Sequence, residues 1–110
     1  MAILVVPTDD FVKELKRIAK KQKSILSDIA KLSAQLKKNP TMGIELGHNF
    51  YKIRMSISGN NKGKSGGARV ITYVILDQGT VLLTEIYLKT EYDTADISTL
   101  IQRLKDQGLI

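Results

Sequence analysis

The sequence predicts an α+β domain, ordered β-α-α-β-β-β-α, with a helical hairpin packed on a mostly antiparallel four-stranded sheet. Two amphipathic helical patterns follow one another near the start, separated only by the polar break KQKS. Residues 51–57 alternate Tyr51, Ile53, Met55 and Ile57 with Lys52, Arg54 and Ser56, the period of a strand with one buried and one open face. ARVITYVIL is a near-continuous β-branched run, the composition of a central strand. Helices and strands come in runs and do not alternate strictly, which favours α+β over a parallel α/β sheet.

Taken in order, the apolar residues 2–6 predict a first strand, which Pro7 ends. Thr8, Asp9 and Asp10 are helix starters whose carboxylates suit the positive end of the dipole. Phe11, Leu15 and Ile18 mark a helix to about residue 20, and Ile25, Ile29, Leu32 and Leu36 mark a second over 24–38. Asn39-Pro40 stops it, and TMGIELGHN reads as a connection with two glycines. Between the alternating strand and the β-branched strand lies a Gly-, Asn- and Lys-rich loop of about ten residues, longer than hairpin loops usually are.

If that loop is symmetric, Ile57 stands opposite Ala68, Arg69 faces Ser56 and Tyr73 faces Lys52, with Arg54 beside them. Cations would then share an open sheet face, where Arg69 contributes little packing; a slip of one residue would turn Arg69 to the other side. Asp77-Gln78-Gly79 fits a three-residue turn closed by a left-handed glycine, which sets Tyr87 opposite Arg69, Lys89 just beyond, and Glu85 near Arg54. A last helix starts near residue 94, carries Ile97, Leu100, Ile101 and Leu104 on one stripe, and ends at Gly108.

At 110 residues the chain makes one domain over residues 1–110, with no repeat or linker. No cysteine is present, which excludes a disulfide framework or thiolate metal site. Neither a membrane span nor a signal peptide is expected, and the cytoplasm is the default compartment. Seventeen Lys and Arg against eleven Asp and Glu give a net charge of +6, which suits a polyanion or an acidic protein partner. The lysines and Arg17 of the first helix and its link read as a solvated face.

The stretch GNNKGKS resembles a phosphate-binding loop but has three residues between its glycines where four are needed, and it leads into a strand. No nucleotide cofactor and no metal is therefore expected. His48, the lone histidine, has no Ser, Cys or second ligand arranged around it and reads as a turn residue. A basic sheet face can still do chemistry on RNA, which carries its own nucleophile: positioning the 2′-OH in line and surrounding the phosphorane with cations suffices.

The stretch YKIRMSIS…KGKSGGARVITYV, followed by LLTEIYLKTEYD, resembles the RelE/HigB-type toxins of bacterial type II toxin–antitoxin modules. The TDDFVKELKRIAKK helix and LKKNPTMGIELG fit the same pattern, so the resemblance covers nearly the whole chain. It implies a RelE-like toxin that cleaves mRNA in the ribosomal A site without a metal, and a cognate antitoxin that neutralises it. Carried over by position, Lys52, Arg54, Arg69 and Lys89 form the implied catalytic set. Lys62 and Lys64 match the basic loop of HigB-like members and would hold RNA. Thr90 stands where some RelE toxins have an arginine, and the place of their base-stacking tyrosine falls on Asp96 or its neighbours; Tyr87 or Tyr92 would have to substitute. ParE-like toxins of the same superfamily inhibit gyrase, so that activity, or simple non-catalytic RNA binding, stands as the alternative.

Overall fold

The computed structural model describes residues 2–58, 67–91 and 96–110. It has the order β1 (Leu4–Pro7), α1 (Asp9–Ala19), α2 (Ile25–Lys38), β2 (Ile44–Gly47), β3 (Phe50–Met55), β4 (Ala68–Ile75), β5 (Thr80–Leu88) and α3 (Ile97–Asp106). The five strands form one sheet in the order β1-β5-β4-β3-β2, parallel only between β1 and β5. The expected class holds, with the β-branched run at the centre of the sheet.

Thr8 explains how the first helix is attached. Its side-chain oxygen accepts from the Phe11 N–H at 3.2 Å, capping α1, while its hydroxyl donates to the Leu83 carbonyl at 3.1 Å. One residue thus caps the helix and ties its start to β5. In α2 the predicted stripe of Ile25, Ile29, Leu32 and Leu36 is buried, and Asp28 is buried with it.

The fifth strand is the main departure from expectation. Residues 44–47, read as connection, pair antiparallel with β3 through a two-residue turn at His48 and Asn49. Both turn residues have positive φ, 52° and 69°, the geometry of a type I′ hairpin. His-Asn is an unusual sequence for that turn, and β2 is only four residues long, so neither propensity nor periodicity announced it. His48 is a turn residue, as expected.

The sheet is covered on both faces. Beneath α1 and α2 lie Ile53, Met55, Val70, Val74, Leu83 and Ile86. On the opposite face Leu100 and Leu104 of α3 pack with Phe50, Ile71, Leu82 and Tyr87. The helix stripe of α3 is as predicted; Asp96 caps it by accepting from the Ser98 N–H at 3.0 Å, slightly later than the expected start.

Gly67, just before β4, lets the chain pass close against the end of β3. A Cβ there would be driven into the Met55 carbonyl, which is backbone and has nowhere to move. Gly67→Ala should therefore destabilise the fold by roughly 1–3 kcal/mol, the usual cost of overpacking. A lower denaturation midpoint at unchanged slope is the expected readout; an unchanged midpoint would mean that the two strands can part there without penalty.

A candidate polyanion site across the central strands

Backbone direction along β3 determines how its cations meet those of β4. The Asn49 carbonyl accepts from the Val74 N–H at 3.0 Å, and Met55 turns its carbonyl toward Gly67, so odd-numbered residues bond toward β4. Even-numbered residues point the other way: the Lys52 carbonyl abuts Gly43, and the Ser58 N–H donates to Asp28 Oδ2 at 3.0 Å. Arg54 lies directly opposite Arg69. By this alternation theirs is a non-hydrogen-bonded pair, in which facing Cα atoms approach to about 4.5 Å. Two arginines therefore meet at the narrow kind of cross-strand position.

The expected register differs from this by two residues. Met55, not Ile57, pairs with Ala68; Arg69 faces Arg54 and not Ser56; Tyr73 faces Phe50 and not Lys52. A shift of two preserves the face of every side chain, so Lys52, Arg54 and Arg69 still share one side. The Phe50 and Tyr73 rings pack with centroids 5.0 Å apart, a contact worth about 0.5–1.5 kcal/mol that helps set this register.

The far side of β4 reaches its expected pairing by a different route. Residues 76–79 make a four-residue turn, one longer than predicted, with Gly79 left-handed. A bulge at Thr84 restores the register: Ile71 pairs with Glu85 while Thr72 pairs with Leu83. The Thr84 hydroxyl donates to the Ile71 carbonyl at 3.0 Å across the bulge. Arg69 thus faces Tyr87, as predicted, giving a row Arg54–Arg69–Tyr87 across three strands.

Burial along this row is uneven. Arg54 is exposed, whereas Arg69 is only 2% exposed and Tyr87 is fully enclosed. Arg69 Nη1 donates to its neighbour's carbonyl, Ala68 O, at 3.2 Å. The face expected to be open is thus closed around Arg69, and this arginine belongs to the packed interior. Tyr87, expected as a candidate for stacking on a base, is a core residue in the α3 cluster. Lys52 and Lys89 are half-buried, and the Lys89 N–H is tied to the Gly67 carbonyl at 3.0 Å.

Glu85 does not stand beside Arg54. It aligns through Ile71 with Lys52, and its carboxylate is 3.8 Å from Arg103 of α3. After Lys89 the chain is drawn back to α1, where Arg17 Nη2 meets Glu91 Oε1 at 2.9 Å. That hydrogen bond is the main reason the Glu91 carboxyl is held below its usual pKa, against a smaller opposing effect of burial. Lys62, Lys64 and Tyr92 lie outside the described residues.

A groove of about 300 Å³ runs between α2 and the outer side of β3. Sequence reasoning missed it, although one signal was present: Asp28 interrupts the apolar spacing of α2 on its buried side. Among the described residues no group of three His, Asp or Glu comes together to hold a metal, and no helix is long and apolar enough to cross a membrane.

No family model matches this chain, and no curated protein matches it by sequence. Solved structures do match its fold. An arginine-to-alanine double mutant of the E. coli toxin RelE in the free state superposes with a TM-score of 0.58 at 16% identity, covering 97% of this chain and 98% of that one. The isolated E. coli RelE toxin gives the same TM-score and identity over 94% of this chain and 99% of its own.

Proposed function

Proceeding from a RelE-like toxin fold, we propose that this protein is the toxin of a type II toxin–antitoxin module and acts as a ribosome-dependent mRNA endoribonuclease. The observation that carries the reading is the direct opposition of Arg54 and Arg69. Two guanidinium groups brought together at a non-hydrogen-bonded cross-strand pair concentrate positive potential at one point of the sheet, which favours an anion there. A phosphodiester passing to a phosphorane, which gains negative charge, fits that requirement.

In this reading the 2′-OH of the substrate attacks the adjacent phosphorus, the bond to the 5′-oxygen breaks, and a cyclic phosphate forms. Arg54, exposed on the strand, clamps the phosphate, and Arg69 directly behind it supplies a fixed positive field in a poorly hydrated setting. Lys52, two residues along on the same side, takes the 2′-OH proton or adds a second clamp. Lys89 neutralises the charge on the leaving oxygen, and Lys62 and Lys64 hold the RNA backbone. Orientation and electrostatics supply the catalysis, with no cofactor. A cognate antitoxin and the ribosome are the partners this activity requires.

Induction of the protein alone should arrest growth with translation failing first. Pulse labelling followed by primer extension on a reporter message should reveal cuts within translated codons. Double-strand DNA breaks with intact messages would instead identify a gyrase inhibitor of the ParE kind. RNA binding without cuts would reduce the protein to a non-catalytic module, and normal growth at high expression would remove the toxin reading altogether.

A further inference from the structure

The end of β5 is held by something other than a strand. Pairing with β1 runs only as far as Leu83, so among the described residues no strand lies on the outer side of Leu88. Glu91 supplies the missing partners. Its N–H donates to the Leu88 carbonyl at 2.9 Å, closing a turn over residues 88–91. Its side chain returns as well, and Oε1 accepts from the Leu88 N–H at 3.3 Å. Lys89 is the second residue of that turn, and its own N–H donates to the Gly67 carbonyl at 3.0 Å.

The oxygen of Glu91 that caps Leu88 is also the one that meets Arg17 Nη2 at 2.9 Å. Arg17 Nε in turn meets Glu14 Oε2 at 2.9 Å, one helical turn back on α1. The planar guanidinium thus spans two carboxylates with two different nitrogens, which an ammonium could not do in the same geometry. Helix α1 is itself fixed to β5 at Thr8. A chain of contacts therefore runs from α1 through Glu14, Arg17 and Glu91 to the backbone on which Lys89 sits. The pair is partly exposed, 48% at Arg17 and 33% at Glu91, and ion pairs of that kind add little to stability. What this one contributes is placement of the turn.

We propose that Glu91 and Arg17 are positioning residues for Lys89, and that their clasp between α1 and the end of β5 fixes the turn from which Lys89 reaches the substrate phosphate. This rests on the cleavage reading above. Lys89 lies one residue past the strand, where the sheet ladder holds the chain from the β4 side alone. The clasp holds it from the other side. A charge that neutralises a leaving oxygen acts only when it is aligned, and a misplacement of about 1 Å can cost as much as ~10² in rate. Arg17, which reads in the sequence as part of a solvated helix face, thereby acts on the reaction through Lys89 without touching the RNA.

The test combines single-turnover cleavage of a reporter message on ribosomes with amide hydrogen exchange and thermal unfolding, all on the whole protein. Glu91→Ala should lower the cleavage rate roughly tenfold with half-saturation little changed, and Arg17→Ala should lower it about threefold. The Leu88 and Lys89 amides should exchange faster in Glu91→Ala, while the melting temperature moves by no more than about 4 °C. In a Lys89→Ala background, Glu91→Ala should cost nothing further in cleavage, a dependence that a merely structural role would not show. The proposal is overturned by any of three results: a Glu91→Ala protein that cuts at the normal rate, losses that multiply in the double variant, or Leu88 and Lys89 amides that exchange as before. An unaltered protein that cuts no message overturns the cleavage reading and with it the effect on rate. Faster exchange in Glu91→Ala would then still support a clasp that holds the turn.

Discussion

Exchanging Arg54 for alanine should lower message cleavage by roughly 10²–10³, the loss seen when one preorganised charge-stabilising group is removed, yet leave the protein at least as stable. Arg54 is exposed and directly opposite Arg69, so its removal relieves a like-charge contact of about 0.2–1 kcal/mol while giving up little packing. Arg69→Ala should match it in lost activity and differ in stability. That side chain is 2% exposed, and truncating a buried residue of this size leaves a void costing roughly 2–5 kcal/mol, which outweighs the repulsion relieved. Thermal unfolding set beside a reporter-cleavage assay reads both quantities. An Arg54→Ala protein that cuts at the normal rate would take Arg54 out of the site. A destabilised one would mean that the pair is bridged and attractive within the free fold.

This contrast between two arginines was not legible in the sequence, and the reason is specific. Alternation over residues 51–57 establishes which side chains share a face, and a period of two is insensitive to register errors of two. The grouping of Lys52, Arg54 and Arg69 on one face therefore follows from the sequence, while the pairing between β3 and β4 does not. Whether that face is open depends on where α3 lands. The apolar stripe of α3 announces a buried side but not which face of the sheet receives it, so Tyr87 reads as accessible when α3 and its cluster close over it, and Arg69, its neighbour across the strands, is 2% exposed. The turn after β4 shows a different kind of success: its extra residue and the Thr84 bulge offset each other, and the expected facing of Arg69 and Tyr87 resulted from a loop of the wrong length. Strand β2 escaped notice because four residues are too few for a period to register, and because its His-Asn turn relies on positive φ in residues seldom chosen for it. The two amphipathic helices, by contrast, were plain, since eleven and fourteen residues carry several turns of apolar spacing each and both begin or end on recognisable signals.

Tyr87→Ala is the substitution expected to damage the fold most. Its side chain is fully enclosed among Phe50, Ile71, Leu82, Leu100 and Leu104, where it joins α3 to the centre of the sheet. Removing a buried aromatic ring costs roughly 3–5 kcal/mol, a large share of the ~5–15 kcal/mol that holds a domain together. For a chain of 110 residues this lowers the melting temperature by on the order of 15 °C. Tyr87→Phe keeps the ring and should retain nearly all of that stability, losing about 1 kcal/mol for the hydroxyl. The same pair of variants separates packing from base recognition. A tyrosine that stacks on RNA would leave the melting temperature intact when cut to alanine and surrender about 1–3 kcal/mol of RNA binding instead. Unfolding by calorimetry and RNA affinity on the same preparations decide it: a stable Tyr87→Ala protein with weakened RNA binding would show that α3 lifts away to expose this ring, and that the closed arrangement is not the one that meets the message.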